Sequence, residues 1–246
     1  MEREVRYCTS VDGTRIAYCL DGEGPPLVQC PAAWESFANE MPSMGVYQAL
    51  SRGRTDIRYD LRGVGLSERQ APSFALDSFV EDIEAVVESA GLTRFALAAS
   101  LFTSGPAIAY AARHPERVTR LVLMRVITHG ADVMPRANFD GLLSLIRGSW
   151  EMGSQVMADL SVRSSAPEYG MRGAEVLREN MDASTVATML TDLYEAPPIV
   201  NETLKGVRCP TLILHRRDDL APFAAAQNAA ALIPGARLMP LPGSGP

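Results

Sequence analysis

The chain has 246 residues, enough for one large domain or two small ones. Lys and Arg number 23 and Asp and Glu 29, which gives a net charge of −6. This balance argues against a protein that coats nucleic acid or an anionic membrane surface, because both need a basic face. Apolar residues make up 47% and charged residues 21%, which excludes intrinsic disorder and predicts a globular protein.

Side chains that could hold a metal or act as a nucleophile are few and scattered. The histidines and cysteines are His114, His129, His215, Cys8, Cys19, Cys30 and Cys209. They form no C-x-x-C pair and no cluster with metal-ligand spacing, so we predict reduced thiols, no metal and no other cofactor. No apolar run reaches the ~18 residues needed to cross a bilayer, and the N-terminus has no apolar signal core. These features predict a cytoplasmic protein without a membrane partner.

Strands and helices alternate along the first half of the chain. Residues 5–10 and 14–19 flank an Asp-Gly pair, which predicts a β-hairpin. Apolar residues at 3.6-residue spacing predict a helix over 76–90, and the apolar run 95–99 predicts a buried strand. The other elements predicted in this half are strands at 27–30, 56–59 and 121–126 and a buried helix at 105–113.

The alternation stops between about residues 130 and 205, where the pattern is helical and rich in Met and Leu. It resumes with a strand at 211–214, a helix at 222–232 and a strand at 237–240. Such alternation predicts an α/β fold, a mostly parallel doubly wound sheet, and the interruption predicts an inserted helical cap. We therefore divide the chain into a first core part (1–129), a cap (130–205) and a last core part (206–246). Trp150 and the methionines of the cap either line an apolar pocket or pack the cap onto the core.

Four segments, in the right order, resemble motifs of the α/β-hydrolase family. Residues 60–67 (DLRGVGLS) resemble the family turn D-x-R-G-x-G-x-S, and residues 111–118 (AARHPERV) resemble the end of the helix after the nucleophile. Residues 210–215 (PTLILH) resemble the strand before the catalytic acid, and 233–237 (IPGAR) resemble the start of the last strand. The resemblance implies the α/β-hydrolase fold and a hydrolase of the carboxylic-ester type. The nearest resemblance is to hydrolase domains beside helix-turn-helix or nucleotide-cyclase domains in bacterial regulators.

The family nucleophile is the serine of a G-x-S-x-G elbow, whose strained turn needs small residues two positions before and after it. When this chain is laid on that pattern without a gap, Ala99 and Thr103 take the glycine positions and Leu101 takes the nucleophile position. Leucine has no lone pair to donate, so this register predicts no acyl-enzyme chemistry.

Two other serines are alternatives to this register. Ser100 becomes the nucleophile after a one-residue slip, but bulky Phe102 then stands two residues after it. Ser104 is followed by Pro106, a pattern typical of a helix N-cap with proline in the first turn. This interpretation predicts a later helix start and a looser turn than the family elbow has.

The resemblance implies that Asp219, four residues after His215, is the catalytic acid, with Asp218 as the weaker candidate. The family places the base histidine after the last strand in a pattern like L-P-G-S-G-H. Residues 241–246 read LPGSGP here, so Pro246 stands at the histidine position. His129 is the only alternative base near the expected pocket mouth. The helix that follows in the family is absent from the sequence, which predicts an exposed apolar strip and self-association.

The segment 30–34 (CPAAW) stands where the family has its His-Gly oxyanion loop. Backbone donors at Ala32 and Phe102 are the expected oxyanion contacts, and Pro31 and Trp34 are expected, with Trp150, at the pocket.

We therefore predict a degenerate catalytic triad in a ligand-binding or sensory domain whose partner is a small apolar molecule, a second copy or a fused regulatory domain. The alternative is a weak carboxylic-ester hydrolase that uses Ser100 with Asp219. A further hypothesis is that the chain is part of a longer regulator whose continuation supplies the histidine.

Overall fold

The computed structural model describes residues 4–32, 34–39, 45–162 and 167–242. Its strands are β1 (Arg6–Thr9), β2 (Arg15–Asp21), β3 (Pro26–Gln29), β4 (Thr55–Tyr59), β5 (Phe95–Leu101), β6 (Val118–Val126), β7 (Thr211–Arg216) and β8 (Arg237–Leu241). Its helices are α1 (Gly45–Ser51), α2 (Leu76–Ser89), α3 (Ser104–Arg113), α4 (Arg136–Gly148), α5 (Trp150–Val162), α6 (Pro167–Asn180), α7 (Ala183–Glu195), α8 (Asn201–Gly206) and α9 (Phe223–Leu232).

The strands form one eight-stranded sheet in the order β1-β2-β4-β3-β5-β6-β7-β8. The β1–β2 and β2–β4 pairs are antiparallel and the other neighbours are parallel. The chain leaves β3 toward one edge of the sheet and leaves β5 toward the other. A ligand crevice in such a sheet is expected at the carboxyl ends of the two strands that flank this switch point.

The two faces of the sheet are covered unequally. Successive strand residues point to opposite faces, so paired strands share their alternation. On the face that carries α3 and α9, Leu123 and Ile213 are fully buried. On the opposite face, where Leu50 of α1 packs, Val122 and Leu212 are only partly buried. The exposed apolar strip expected from the sequence stays a prediction, since Val122 and Leu212 are only partly exposed.

The predicted fold class is confirmed, and each predicted core element is present with ends moved by no more than three residues. The hairpin forms because Gly13 has a φ of 88° and the Asp12 carboxylate accepts a hydrogen bond from Thr14 N–H at 3.0 Å. The strand predicted at 95–99 continues to Leu101. Helix α1 was not predicted, because seven residues are too short for a clear helical period.

Helices α4 to α7 lie between β6 and α8 in the chain. Phe139 of α4 stacks on Tyr194 of α7 with ring centroids 3.8 Å apart. Gly153 lets α5 approach α4 closely, since a Cβ there would lie 2.7 Å from the Cα of Ile146. None of the helices in the described residues combines the length and apolar character needed to cross a bilayer.

The turn after β4 is organised around the buried carboxylate of Asp60. Its oxygens accept hydrogen bonds from the Ser36 hydroxyl at 2.7 Å, Phe37 N–H at 2.9 Å and Leu66 N–H at 2.8 Å. Gly65, with a φ of 55°, packs so tightly that a Cβ would lie 2.2 Å from Asp60 Oδ2. The turn therefore fixes the loop that follows β3.

Arg62 of the same turn has a fully buried guanidinium. It donates to both oxygens of the equally buried Asp82 of α2, at 2.8 and 2.7 Å. It also donates to Asp12 in the hairpin turn at 2.7 Å and to the carbonyls of Ser73 and Ser78 at 2.8 and 3.1 Å. A buried charge needs this degree of pairing to be tolerated.

Candidate functional site

The sharp turn between β5 and α3 has the geometry of a strained strand-to-helix elbow. Leu101 is the last residue of β5 and has a φ of 53°, a left-handed conformation that non-glycine residues rarely adopt. Only two residues separate it from the first residue of α3. The apex of the elbow is therefore Leu101, as the ungapped register predicts.

The Leu101 side chain is 3% exposed and packs on Ile127 and Ala221. The partly buried side chains of Phe102 and Val133 complete this cluster. The position at which the family carries its nucleophile is therefore filled by hydrocarbon, and no hydroxyl of the elbow lies at its apex.

The prediction of Ser104 as an N-cap with a looser turn is wrong. Thr103 is the N-cap residue, and Ser104 is the first helical residue, fully buried. The turn is tight because the Thr103 hydroxyl lies 2.9 Å from both the Pro31 carbonyl and the Ser100 carbonyl. The threonine hydroxyl thus ties the elbow to the loop after β3.

Ser100 lies inside β5 and is 3% exposed. The sheet register shifts between Ser100 and Leu101, so the regular alternation of strand faces does not hold across this step. The Ser100 side chain lies near Tyr47 of α1, where burial and the Glu35 carboxylate raise the tyrosine pKa and Ser100 counteracts them. The register slip required by a Ser100 nucleophile does not occur, since the left-handed residue is Leu101.

Asp219, the predicted acid, follows β7 and its carboxylate is 7% exposed. Nε of Arg125 lies 2.9 and 2.8 Å from its two oxygens, and Ala221 N–H donates to Oδ1 at 3.1 Å. Arg125 also has a left-handed φ of 51° and donates from Nη2 to the Ser161 carbonyl of α5 at 3.3 Å. Asp219 is therefore paired with an arginine, which in turn connects the acid loop to the α5 helix.

Sequence reasoning did not identify Arg125. The only available signal was a single charge near the end of the apolar strand predicted at 121–126. An arginine at the end of a strand can face solvent or a neighbouring loop. The direction of its side chain depends on the backbone turn that follows, which the sequence pattern does not define.

Each histidine makes contacts that fix it in the fold. The fully buried His215 accepts from Val126 N–H at Nδ1, at 3.2 Å, and donates from Nε2 to the Ala221 carbonyl at 2.9 Å. His129 pairs with Asp132 at 3.5 Å, and His114 stacks on Tyr110. Pro246, at the family's base position, lies outside the described residues.

The loop after β3 carries Ala32, one of the two predicted oxyanion donors, and the other, Phe102, follows Leu101 in the elbow. Pro31 and Ala32 are half-buried, and Ala33 lies outside the described residues. Trp34 packs on Phe102 with ring centroids 5.5 Å apart, and its carbonyl accepts from Asn180 Nδ2 at 3.1 Å. The loop is thus held from the elbow and from the end of α6.

Cys30, at the start of this loop, is not a reactive thiol. It is fully buried, and burial raises its pKa to about 12, so the thiolate is scarce at neutral pH.

An apolar cavity lies between the cap and the core beside the elbow. Its free volume is about 10 Å³, room for about one water molecule and far below the range of about 300–1,000 Å³ typical of ligand pockets. It is lined by Trp34, Leu61, Phe79, Phe102, Thr103, Met189 and Leu193. A second cavity behind the loop has a free volume of about 20 Å³ and includes Pro31 in its lining. Trp150 borders neither cavity, and it packs partly buried against the core at the start of α5.

Comparison with known proteins agrees with this geometry. A non-heme haloperoxidase from Rhodococcus erythropolis is 29% identical over 96% of this chain and 91% of that protein. A 2-hydroxymuconate semialdehyde hydrolase from Pseudomonas putida is 29% identical over 90% of this chain and 77% of that protein. Among solved structures, an esterase from Exiguobacterium antarcticum superposes with a TM-score of 0.84 at 22% identity, covering 98% of this chain and 92% of that one.

An enol-lactonase from Burkholderia xenovorans LB400 superposes with a TM-score of 0.80 at 20% identity, again covering 98% and 92% of the two chains. At these identities the superpositions show the fold alone. The sequence profile of the alpha/beta hydrolase fold matches residues 25–149, just over half of the chain. The chain therefore belongs to the alpha/beta hydrolase fold family.

Proposed function

We propose that this chain is a family member with a degenerate triad, which binds a small apolar molecule between cap and core and does not hydrolyse it. The observation that carries the proposal is the side chain at the elbow apex. Leu101 keeps the left-handed backbone of a nucleophile elbow, at a φ of 53°, while its side chain is buried among apolar neighbours.

Two of the three groups of the family triad are replaced in this chain. In a Ser-His-Asp unit, loss of one member typically lowers the rate by ~10⁴–10⁶, and what remains comes from the oxyanion hole and binding. This chain has leucine at the nucleophile position and proline at the base position, and neither side chain can accept a proton. Such losses leave binding as the function that the site supports.

The arrangement of Asp219 supports the same proposal. In a working triad the acid accepts a hydrogen bond from the base and stabilises the imidazolium. Here Arg125 contacts both carboxylate oxygens, so the negative charge is already neutralised within the fold. The haloperoxidase, hydrolase and lactonase activities belong to the relatives and support common ancestry, not a shared reaction.

The competing function is a weak carboxylic-ester hydrolase that uses Ser100 with Asp219. Ser100 lies near Tyr47 of α1, whereas Asp219 is paired with Arg125, and these separate partners weigh against it. The association with a bacterial regulator, like the cytoplasmic location, stays a prediction from the sequence.

The two functions are separated by an assay with p-nitrophenyl acetate and butyrate, together with labelling by a fluorophosphonate probe. We expect no turnover above that of the Ser100→Ala and Ser104→Ala variants and no covalent label. Turnover that is lost in Ser100→Ala, with a label on Ser100, would overturn the proposal in favour of the weak hydrolase.

A further inference from the structure

Strands β6, β7 and β8 have two unlike faces. Helix α9 contacts all three strands on one face. On the opposite face, Val122, Leu212 and Leu214 are only partly buried, and Met239 is 48% exposed. Val122 pairs with Leu212 and Leu214 pairs with Met239, which brings the four side chains together. They form a partly exposed apolar patch that α9 does not cover.

Arginines lie at both ends of this patch. Arg120 is two residues before Val122, and Arg237 pairs with Leu212, so both exposed side chains share the face of the patch near the amino ends of the strands. Arg216 is half-buried at the other end of the patch. None of the three arginines makes an ion pair with a described residue. This surface, the β6–β8 face, therefore has an apolar centre between unpaired cations.

No carboxylate in the same strands offsets these cations. β6, β7 and β8 contain no Asp or Glu, and α1, whose Leu50 packs on the same side of the sheet, contains none either. The chain as a whole has a net charge of −6. A cationic face on an acidic protein favours an acidic partner over a second copy, because a symmetric contact would place arginines against arginines.

The dimensions of the β6–β8 face match those of one α-helix. Three neighbouring strands span about 10 Å, close to the diameter of a helix with its side chains. Arg237 pairs with Leu212, and Arg216 follows four residues later, which separates the two ends of the face by about 13 Å. A helix rises about 1.5 Å per residue, so side chains about nine residues apart reach both ends.

We propose that the β6–β8 face docks an acidic amphipathic helix of another protein. The apolar stripe of that helix covers the patch, and its carboxylates, about nine residues apart, pair with Arg216 at one end and with Arg120 or Arg237 at the other. The face shares no residue with the lining of the cavity between cap and core, so this inference does not depend on the proposed ligand-binding function.

The test measures the binding of three designed, fluorescein-labelled helical peptides of about 15 residues by fluorescence polarisation. The first peptide has leucines along one side and two glutamates beside them, about nine residues apart. The second has lysines in place of these glutamates, and the third has serines in place of the leucines. We expect the wild type to bind the first peptide and neither of the others.

Two variants of the face should weaken binding of the first peptide. We expect Arg237→Glu to raise its Kd by about 3- to 10-fold, because an attraction becomes a repulsion. Met239→Asp should raise the Kd by about as much, because it places a carboxylate in the apolar centre. The matched control is Arg147→Glu, at an exposed position of α4, which makes the same change in net charge and should leave the Kd within about twofold.

Several results would overturn this inference. Equal binding of the first peptide and either of the others would mean that the face does not select an acidic amphipathic helix. A loss in Arg147→Glu as large as in Arg237→Glu would mean that net charge alone attracts the peptide. The inference also fails if the first peptide does not bind at about 1 mM. Dimers of the wild type that Met239→Asp dissociates, detected by light scattering, would assign the face to a second copy instead.

Discussion

Leu101 combines an uncommon backbone conformation with an ordinary core side chain. A left-handed non-glycine residue costs roughly 1–2 kcal/mol, and such strain is normally found where a functional side chain must be presented. Here the strained residue presents an apolar side chain to Ile127 and Ala221. The elbow thus combines a left-handed apex with a leucine side chain, as the proposed degenerate triad requires.

Adding the missing hydroxyl should not restore catalysis. We expect Leu101→Ser to hydrolyse p-nitrophenyl acetate no faster than Leu101→Ala, because Arg125 occupies both oxygens of Asp219. Both variants should lose about 2–5 kcal/mol in the free energy of unfolding, since each removes a buried leucine side chain. Faster turnover by the serine variant than by the alanine variant would show that a serine at the elbow apex can act as a nucleophile in this fold.

The glycines of the Asp60 turn allow a direct test of close packing. Gly65→Ala places a Cβ 2.2 Å from Asp60 Oδ2, whereas Gly91→Ala, at a similar left-handed φ of 68°, meets nothing within 4 Å. We expect Gly91→Ala to cost about 1 kcal/mol from backbone strain and Gly65→Ala to cost at least ~2 kcal/mol more. Urea unfolding measures both, and equal losses would mean that the carboxylate moves aside freely.

The sequence predicted some of these residues and missed others for a physical reason. Leu101 at the elbow and Asp219 after β7 could be placed from the sequence because each lies at a fixed offset from a strand, and their roles stay predictions. Arg125 was missed because its partner, Asp219, is 94 residues away along the chain. Trp34 was expected at the pocket, but its packing on Phe102 is visible only once its neighbours are in place.

At the scale of whole elements, hydrogen bonds at the C-terminal end of α6 hold the cap against the loop that follows β3. Asn180 donates to the Trp34 carbonyl at 3.1 Å and accepts from Asn39 Nδ2 at 3.0 Å, and its own carbonyl accepts from Gly65 N–H.

The predicted core elements were recovered because each has a clear period and a turn signal. The sequence did not predict where the individual cap helices begin and end. The spacing of their apolar residues reflects the packing of these helices against one another.

Removal of the Asn180 side chain should loosen this connection. We expect Asn180→Ala to lower the free energy of unfolding by about 1–3 kcal/mol, because the buried Trp34 carbonyl loses its donor. Asn138→Ala, at an exposed position of α4, is the matched control and should change stability by less than about 0.5 kcal/mol. Equal effects in the two variants, measured by urea unfolding, would show that the Asn180 side chain does not hold the loop.

For the molecule as a whole, the buried carboxylate of Asp60 should make stability depend on pH. Burial outweighs its hydrogen bonds and raises its pKa from the ordinary 3.8 to about 6. The folded state therefore binds this proton more tightly than the unfolded state. The resulting contribution to stability is fully present below about pH 4 and is lost as the pH rises through 6.

This dependence is measured against Asp60→Asn, which cannot titrate. The free energy of unfolding of the wild type, relative to Asp60→Asn, should fall by about 2–3 kcal/mol between pH 4 and pH 7. Gly91→Ala, which changes no titratable group, supplies the control, for which the difference should stay nearly flat. A flat difference for Asp60→Asn as well would contradict the raised pKa.

The buried guanidinium of Arg62 has a consequence for how the protein opens. Because it contacts Asp12 in the hairpin turn as well as Asp82 in α2, the first hairpin cannot peel away without uncovering a charge in the interior. Backbone amides that are hydrogen-bonded between β1 and β2 should therefore exchange with deuterium only as fast as the whole chain unfolds, although β1 is the edge strand. In Asp12→Ala these amides should exchange faster, by local unfolding of the hairpin. The Asp12 carboxylate would then determine whether this edge of the sheet opens independently of the rest of the molecule.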